Sequence, residues 1–148
     1  MTVLKTHQPR LSAYIKYFET LTPETVDDLD MLVREDFIFE DPFNRLTSRS
    51  DAKRLFRQMF LEMDSPAFKI SASYWNESGQ SAILKWRFAA EVHKIGKLDF
   101  EGLSEVCFDD AGLILSHVDH WDAASHFYEK LPVLGVILRM IRGKLRLS

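Results

Sequence analysis

The chain has 148 residues, 46% hydrophobic, 28% charged and 12% aromatic, with eleven Phe, four Tyr and three Trp. That length suits one domain able to bury roughly 68 to 70% of its unfolded surface, and the composition excludes disordered, collagen-like and low-complexity chains. A formal net charge of -3 lacks the basic face that releases phosphate counterions, so no nucleic-acid partner is expected.

In chain order, Leu11, Tyr14, Ile15, Phe18 and Leu21 recur at helical spacing and predict an amphipathic helix over residues 10–21. Thr22 and Pro23, followed by Glu24, Asp27 and Asp28, predict a second helix carrying Val26, Leu29, Leu32 and Val33 inward. Asp36 to Glu40 reads as a short strand ended by Pro42. A third helix is expected from about Ser50, with Ala52, Leu55, Phe56, Met59, Phe60 and Met63 as its apolar stripe and Pro66 as its stop. Strands follow. Phe68, Ile70, Ala72 and Tyr74 alternate with polar residues, and residues 77–80 make a hairpin connection. Ala82, Leu84, Trp86, Phe88, Ala90 and Val92 then form the clearest period-two row in the chain. Residues 97–108 and 113–121 complete an antiparallel meander, with turns at Gly96 and at Asp109 to Gly112. A helical segment to Lys130 and a final amphipathic helix over 134–147 close the chain. The arrangement is α+β, a curved antiparallel sheet wrapped around the N-terminal helices, as one domain over 1–148 with a core of about 10–122 and a helical tail over 123–148.

Element order, the EDPF at Glu40 to Phe43, the helix RLFRQMF after it, the FDDAG turn at Phe108 to Gly112 and a strand ending in Trp121 resemble one superfamily. It is the cone-shaped fold of nuclear transport factor 2, ketosteroid isomerase and the SnoaL-like polyketide cyclases. The resemblance implies a catalytic base at Asp41, an oxyanion-hole tyrosine at Tyr17, and Ser104 where ketosteroid isomerases carry a protonated aspartate. Separated pKa values in that family are a known worked case of acid–base tuning. In the SnoaL-like cyclases the acid/base aspartate falls on the last strand, close to Asp119, so Asp119 competes with Asp41 as the base.

The residues argue for a site independently. Alternation puts Leu113, Leu115, His117, Asp119 and Trp121 on one face of the last strand, and Ile114, Ser116, Val118 and His120 on the other. Burying His117 and Asp119 in a dry core costs several kcal/mol, on the order given for unpaired buried charge. A polar-floored cavity avoids that cost, and a strand twisted to put both residues in solvent avoids it too. Asp41 before Pro42 is also an ordinary turn starter. Phe43, Met59, Trp86, Phe100 and Trp121 are candidate wall residues, with plain core packing as the alternative for each. A buried Trp86 indole needs an acceptor. His7 and His93 are expected on the surface.

The expected function is cofactor-independent proton transfer on a hydrophobic carbonyl compound, in the manner of an isomerase or cyclase; the alternative is a non-catalytic small-molecule-binding or dimerisation module. No metal is expected, since His117 and Asp119 point away from His120. Ile83, Leu103 and Cys107 on the outer sheet face suit a homodimer. The basic tail, with Val133, Val136, Ile137, Met140 and Ile141 beside Arg139, Arg142, Lys144 and Arg146, is expected to cover the cone mouth or a dimer partner with its cations solvated, rather than a membrane. A single cysteine and an N-terminus without an apolar run suggest a cytoplasmic protein.

Overall fold

The structure is a computed structural model that describes residues 6–146, apart from the side chains of residues 132–134; the last residue of the expected final helix, Leu147, and the side chain of Val133 lie outside the described residues. Helix α1 (Gln8–Glu19) buries Leu11, Tyr14, Tyr17 and Phe18. The segment expected as a second helix is a 3-10 helix over Val26–Met31, and Val33 opens strand β1 (Val33–Glu40) instead of closing a helix. The reason is pairing: Val33 lies beside Ile114 in a parallel ladder, and the sheet outweighs local helical preference. A two-residue strand β2 (Arg45–Leu46) folds back on β1. Helix α2 (Arg49–Glu62) starts after Ser48, whose hydroxyl accepts from the Asp51 N–H as an N-cap.

Strands β3 (Met63–Trp75), β4 (Ser81–Val92), β5 (Gly96–Phe108) and β6 (Ile114–His120) form the meander. The order across the sheet is β2-β1-β6-β5-β4-β3. Pro66 is not a stop. It lies inside β3, an edge strand, in the interruption of pairing between Asp64 and Ala67 where no ladder N–H is needed. A second slip between Ile70 and Ala72 reverses the strand's faces, so Tyr74 is exposed and Trp75 turns inward to give its indole N–H to Gln8 Oε1 at 2.8 Å. In β6 a slip opposite Cys107 and Phe108 buries Ile114, which simple alternation had placed outside. His7, expected on the surface, is buried and stacks on Phe108 with ring centroids 5.3 Å apart.

The sheet curls around α1 and α2, and the fully buried side chains Leu11, Tyr14, Leu29, Phe37, Val106 and Ile114 fill the closed end. Beyond β6 come helix α3 (Ala123–His126), capped by Asp122, a 3-10 turn over Tyr128–Lys130, and helix α4 (Pro132–Leu145), which begins at Pro132 because proline fits the first helical turn. Among the described residues no helix is long and apolar enough to cross a membrane.

Candidate functional site

Between α2 and the concave face of the sheet lies a cavity of about 590 Å3. Its wall is mostly aromatic and aliphatic. Its polar groups are Asp41 and Asn44 from the turn after β1, Ser104 from β5, and His117 and Asp119 from β6. The exposed lining residues Gln58, Leu61, Glu62 and His93 mark an open end at the C-terminus of α2 and the β4–β5 hairpin, and Phe43, on the turn after β1, is exposed as well.

Five side chains form one hydrogen-bonded row. The Trp86 indole N–H donates to Ser104 Oγ at 2.7 Å, and Ser104 donates to Asp119 Oδ1 at 2.5 Å. His117 Nε2 is 2.6 Å from the same Oδ1, and its Nδ1 is 2.7 Å from the Tyr14 hydroxyl. Counting protons gives the directions. A carboxylate at Asp119 only accepts, so His117 Nε2 carries the proton between them, and Nδ1 of a neutral imidazole accepts from Tyr14. Burial, then the Asp119 charge, pushes the Tyr14 phenol well above its ordinary range, which keeps it a donor.

Both protein donors converge on Oδ1. Asp119 Oδ2 has no hydrogen-bond partner among the described residues, and no fully buried side-chain oxygen or nitrogen lacks one. Oδ2 is therefore accessible, on a residue that lines the cavity. The stacking around the row is tight. His117 lies against Phe39 with centroids 4.9 Å apart, and Trp121 stacks on Phe100 at 4.4 Å and 23°. Trp86 crosses β5 at Gly102, where a methyl group would collide with its six-membered ring.

Asp41 serves the turn as well as the cavity. Its Oδ1 accepts from the Phe43 N–H at 2.8 Å, the Asn44 N–H at 2.7 Å and the Asn44 amide at 3.2 Å. Burial nevertheless raises its pKa above the ordinary carboxylate value; these hydrogen bonds oppose the rise, and the Asp119 charge adds to it.

Of the residues singled out in the sequence, Asp41, Asp119, His117, Trp86, Trp121, Ser104, Phe43, Met59 and Phe100 all line this cavity. Tyr17 does not. Its hydroxyl donates to the Val26 carbonyl at 2.9 Å and fastens α1 to the 3-10 helix. Ser104 reaches the wall but its proton is committed to Asp119. The tyrosine that meets the site is Tyr14, one helical turn before Tyr17, which the apolar stripe had counted as core. Its signal was chemical: a phenol buried on an apolar face requires a polar partner across the core. Phe127, from the tail, also lines the cavity and packs on Phe43 at 5.1 Å. Among the described residues no three His, Cys, Asp or Glu side chains assemble as metal ligands.

The sequence profile of a SnoaL-like domain matches residues 14–117. No curated protein sequence matches the chain. Solved structures share the fold at low identity. An LEH-like epoxide hydrolase of M. tuberculosis is 18% identical with a TM-score of 0.66, over 99% of this chain and 96% of that one. A steroid delta-isomerase from Pseudomonas aeruginosa is 16% identical with a TM-score of 0.63, over 98% and 96%. A protein with a ketosteroid isomerase-like fold from Catenulispora acidiphila, in complex with trimethylamine, is 12% identical with a TM-score of 0.68, over 82% and 91%. At these identities the likeness is one of fold.

Proposed function

This chain belongs to the SnoaL-like domain family, and we propose that it catalyses cofactor-independent proton transfer at a carbon next to the carbonyl of a hydrophobic compound, as an isomerase or cyclase does. The observation that carries this is the free Oδ2 of Asp119 on the cavity wall, with Oδ1 held from behind by Ser104 and His117. A carboxylate fixed by one oxygen and open at the other is oriented for use as a base.

In the proposed step Asp119 Oδ2 takes the proton, the C–H electron pair becomes the double bond of the enolate, and the charge moves to the carbonyl oxygen. Asp41 is the candidate acid: it lies on the same wall, and burial raises its carboxyl above the ordinary carboxylate value. The Trp121 indole N–H, which has no acceptor among the described residues, is a further donor for that oxygen. In a β,γ-unsaturated ketone, returning the proton to the γ-carbon of the dienolate isomerises the substrate; alternatively the enolate carbon attacks a second carbonyl of the same molecule, closing a ring, and the alkoxide formed takes up the proton. The aromatic wall selects apolar substrates and excludes water, which strengthens each charge interaction.

The test is deuterium uptake at the α-carbons of hydrophobic cyclic ketones in D2O, followed by NMR. Asp119→Asn is expected to slow the catalysed exchange by about 10²–10⁴-fold, the usual contribution of a positioned acid or base. Asp41→Asn should abolish the decline of the rate as pH rises through the Asp41 value, since it removes the group whose deprotonation disables the acid. Exchange no faster than buffer with wild-type protein, in ketones that raise its thermal midpoint, would reject catalysis in favour of a binding module.

A further inference from the structure

Helix α4 carries its apolar side outward. Val136, Ile137, Met140, Ile141 and Leu145 are 49% to 80% exposed. Its arginines turn to the body instead: Arg139 donates to the Glu129 carbonyl, and Arg142 to the Glu129 carboxylate and, at 3.0 Å, to Ser125 Oγ. Within the described residues this apolar face is uncovered, while Arg139, Lys144 and Arg146 remain exposed. Positions 136, 137, 140 and 141 follow helical spacing on one face, which Lys144 continues in the last turn with Leu145 at its edge. A continuous stripe of this kind marks an interaction surface, unlike single exposed apolar residues.

Charge decides what covers it. No acid follows Glu129, whereas Arg139, Arg142, Lys144 and Arg146 do. Lys144 and Arg146 are exposed and make no ion pair among the described residues. Parallel pairing of α4 with the same helix of a second copy would bring the unpaired Lys144 and Arg146 of both chains together, which is unfavourable. The other exposed large apolar residues, Met31, Phe43, Leu61, Tyr74 and Leu103, stand on four different elements and a turn and offer no receiving patch. An anionic lipid surface supplies both complements, acyl chains for the stripe and negative headgroups for the flanking cations.

We propose that α4 docks this protein reversibly on an anionic membrane surface, lying in its plane. Its 14 residues span about 21 Å at 1.5 Å per residue, too short to cross the hydrocarbon core. The start of the tail lies beside the open end of the cavity. Lys130 Nζ donates to the Lys97 carbonyl at 2.6 Å, fastening the start of the tail beside the β4–β5 hairpin, whose His93 and Ile95 line the cavity.

The experiment is co-sedimentation of the full chain with vesicles of phosphatidylcholine, with and without phosphatidylglycerol. The protein is expected to bind the phosphatidylglycerol vesicles and to be released by added salt, as screening requires. Ile137→Glu and Ile141→Glu should each weaken binding by about tenfold or more, since each puts a charge in the buried stripe. Lys144→Glu, at an exposed site, gives the same loss in a variant whose folding is not at issue, checked by circular dichroism. Absence of binding to either vesicle, equal binding to both, or equal binding of wild type and Lys144→Glu overturns the proposal. So does a wild-type dimer that Ile141→Glu splits while neither form sediments with lipid, which would assign the stripe to a second copy.

Discussion

Ser104 has one proton and gives it to Asp119, while its oxygen takes the Trp86 N–H. A buried hydroxyl whose proton is already given cannot also donate to a substrate, so Ser104 acts first by holding Asp119 in one rotamer. Ser104→Ala leaves a buried indole N–H without an acceptor, which costs about 1–3 kcal/mol. Urea unfolding should show that loss, with a red shift of tryptophan fluorescence as Trp86 finds water; an unchanged midpoint would mean the row is dispensable. The inward row of His117 and Asp119 was visible in the sequence because two ionisable residues two positions apart must share a strand face. Tyr14 was not, because its partner lies 103 residues away and a tyrosine in an apolar stripe reads as packing. Tyr17 was misplaced for a related reason: one turn of helix decides whether a phenol meets the last strand or the 3-10 helix.

At the scale of elements, β4 was fully readable because its alternation runs unbroken from Ala82 to Ala90. β3 contains two slips and β6 one, and one displaced residue exchanges every face beyond it. None of them lies at a glycine, and nothing local announced the exposure of Tyr74 or the burial of Ile114. Gly102 is the position where β5 makes room. It sits opposite Trp86, whose ring is held by Ser104 through its N–H and flanked by Phe68 at 6.2 Å and Phe100 at 6.0 Å. On strand preference alone Gly→Ala gains roughly 0.5–1 kcal/mol. Here the added methyl meets a ring held by its N–H bond to Ser104 and by its aromatic neighbours, so the overpacking cost of about 1–3 kcal/mol should win. Gly102→Ala is expected to lower the thermal midpoint and break the Trp86–Ser104 bond; a rise in midpoint would show that the ring yields freely.

Across the whole molecule, the buried phenols set how the fold responds to alkali. Burial is the main cause that raises both Tyr14 and Tyr17, with acidic neighbours adding to it. The folded chain keeps these two protons over a pH range in which the unfolded chain has lost them. Stability is therefore unaffected by them below the ordinary tyrosine value of about 10 and falls as pH rises above it. Asp41 works in the same direction lower down, because its carboxyl is also raised in the fold and stability declines as pH climbs from the ordinary carboxylate range toward its folded value. The exposed Asp27 and Asp99, lowered by Arg57 and Arg87, act oppositely, losing their contribution as pH falls; solvent screening keeps that part small. The fold should thus fail more abruptly in alkali than its net charge suggests. Phenolate absorbance should contain a step that coincides with loss of the circular dichroism signal, from phenols that ionise only on unfolding. Tyr14→Phe and Tyr17→Phe should each shrink that step and move it to higher pH, since each removes one proton that the unfolded chain releases. Ionisation of both phenols well before the structural transition would refute the burial-driven shift, and with it the neutral Tyr14 donor behind His117.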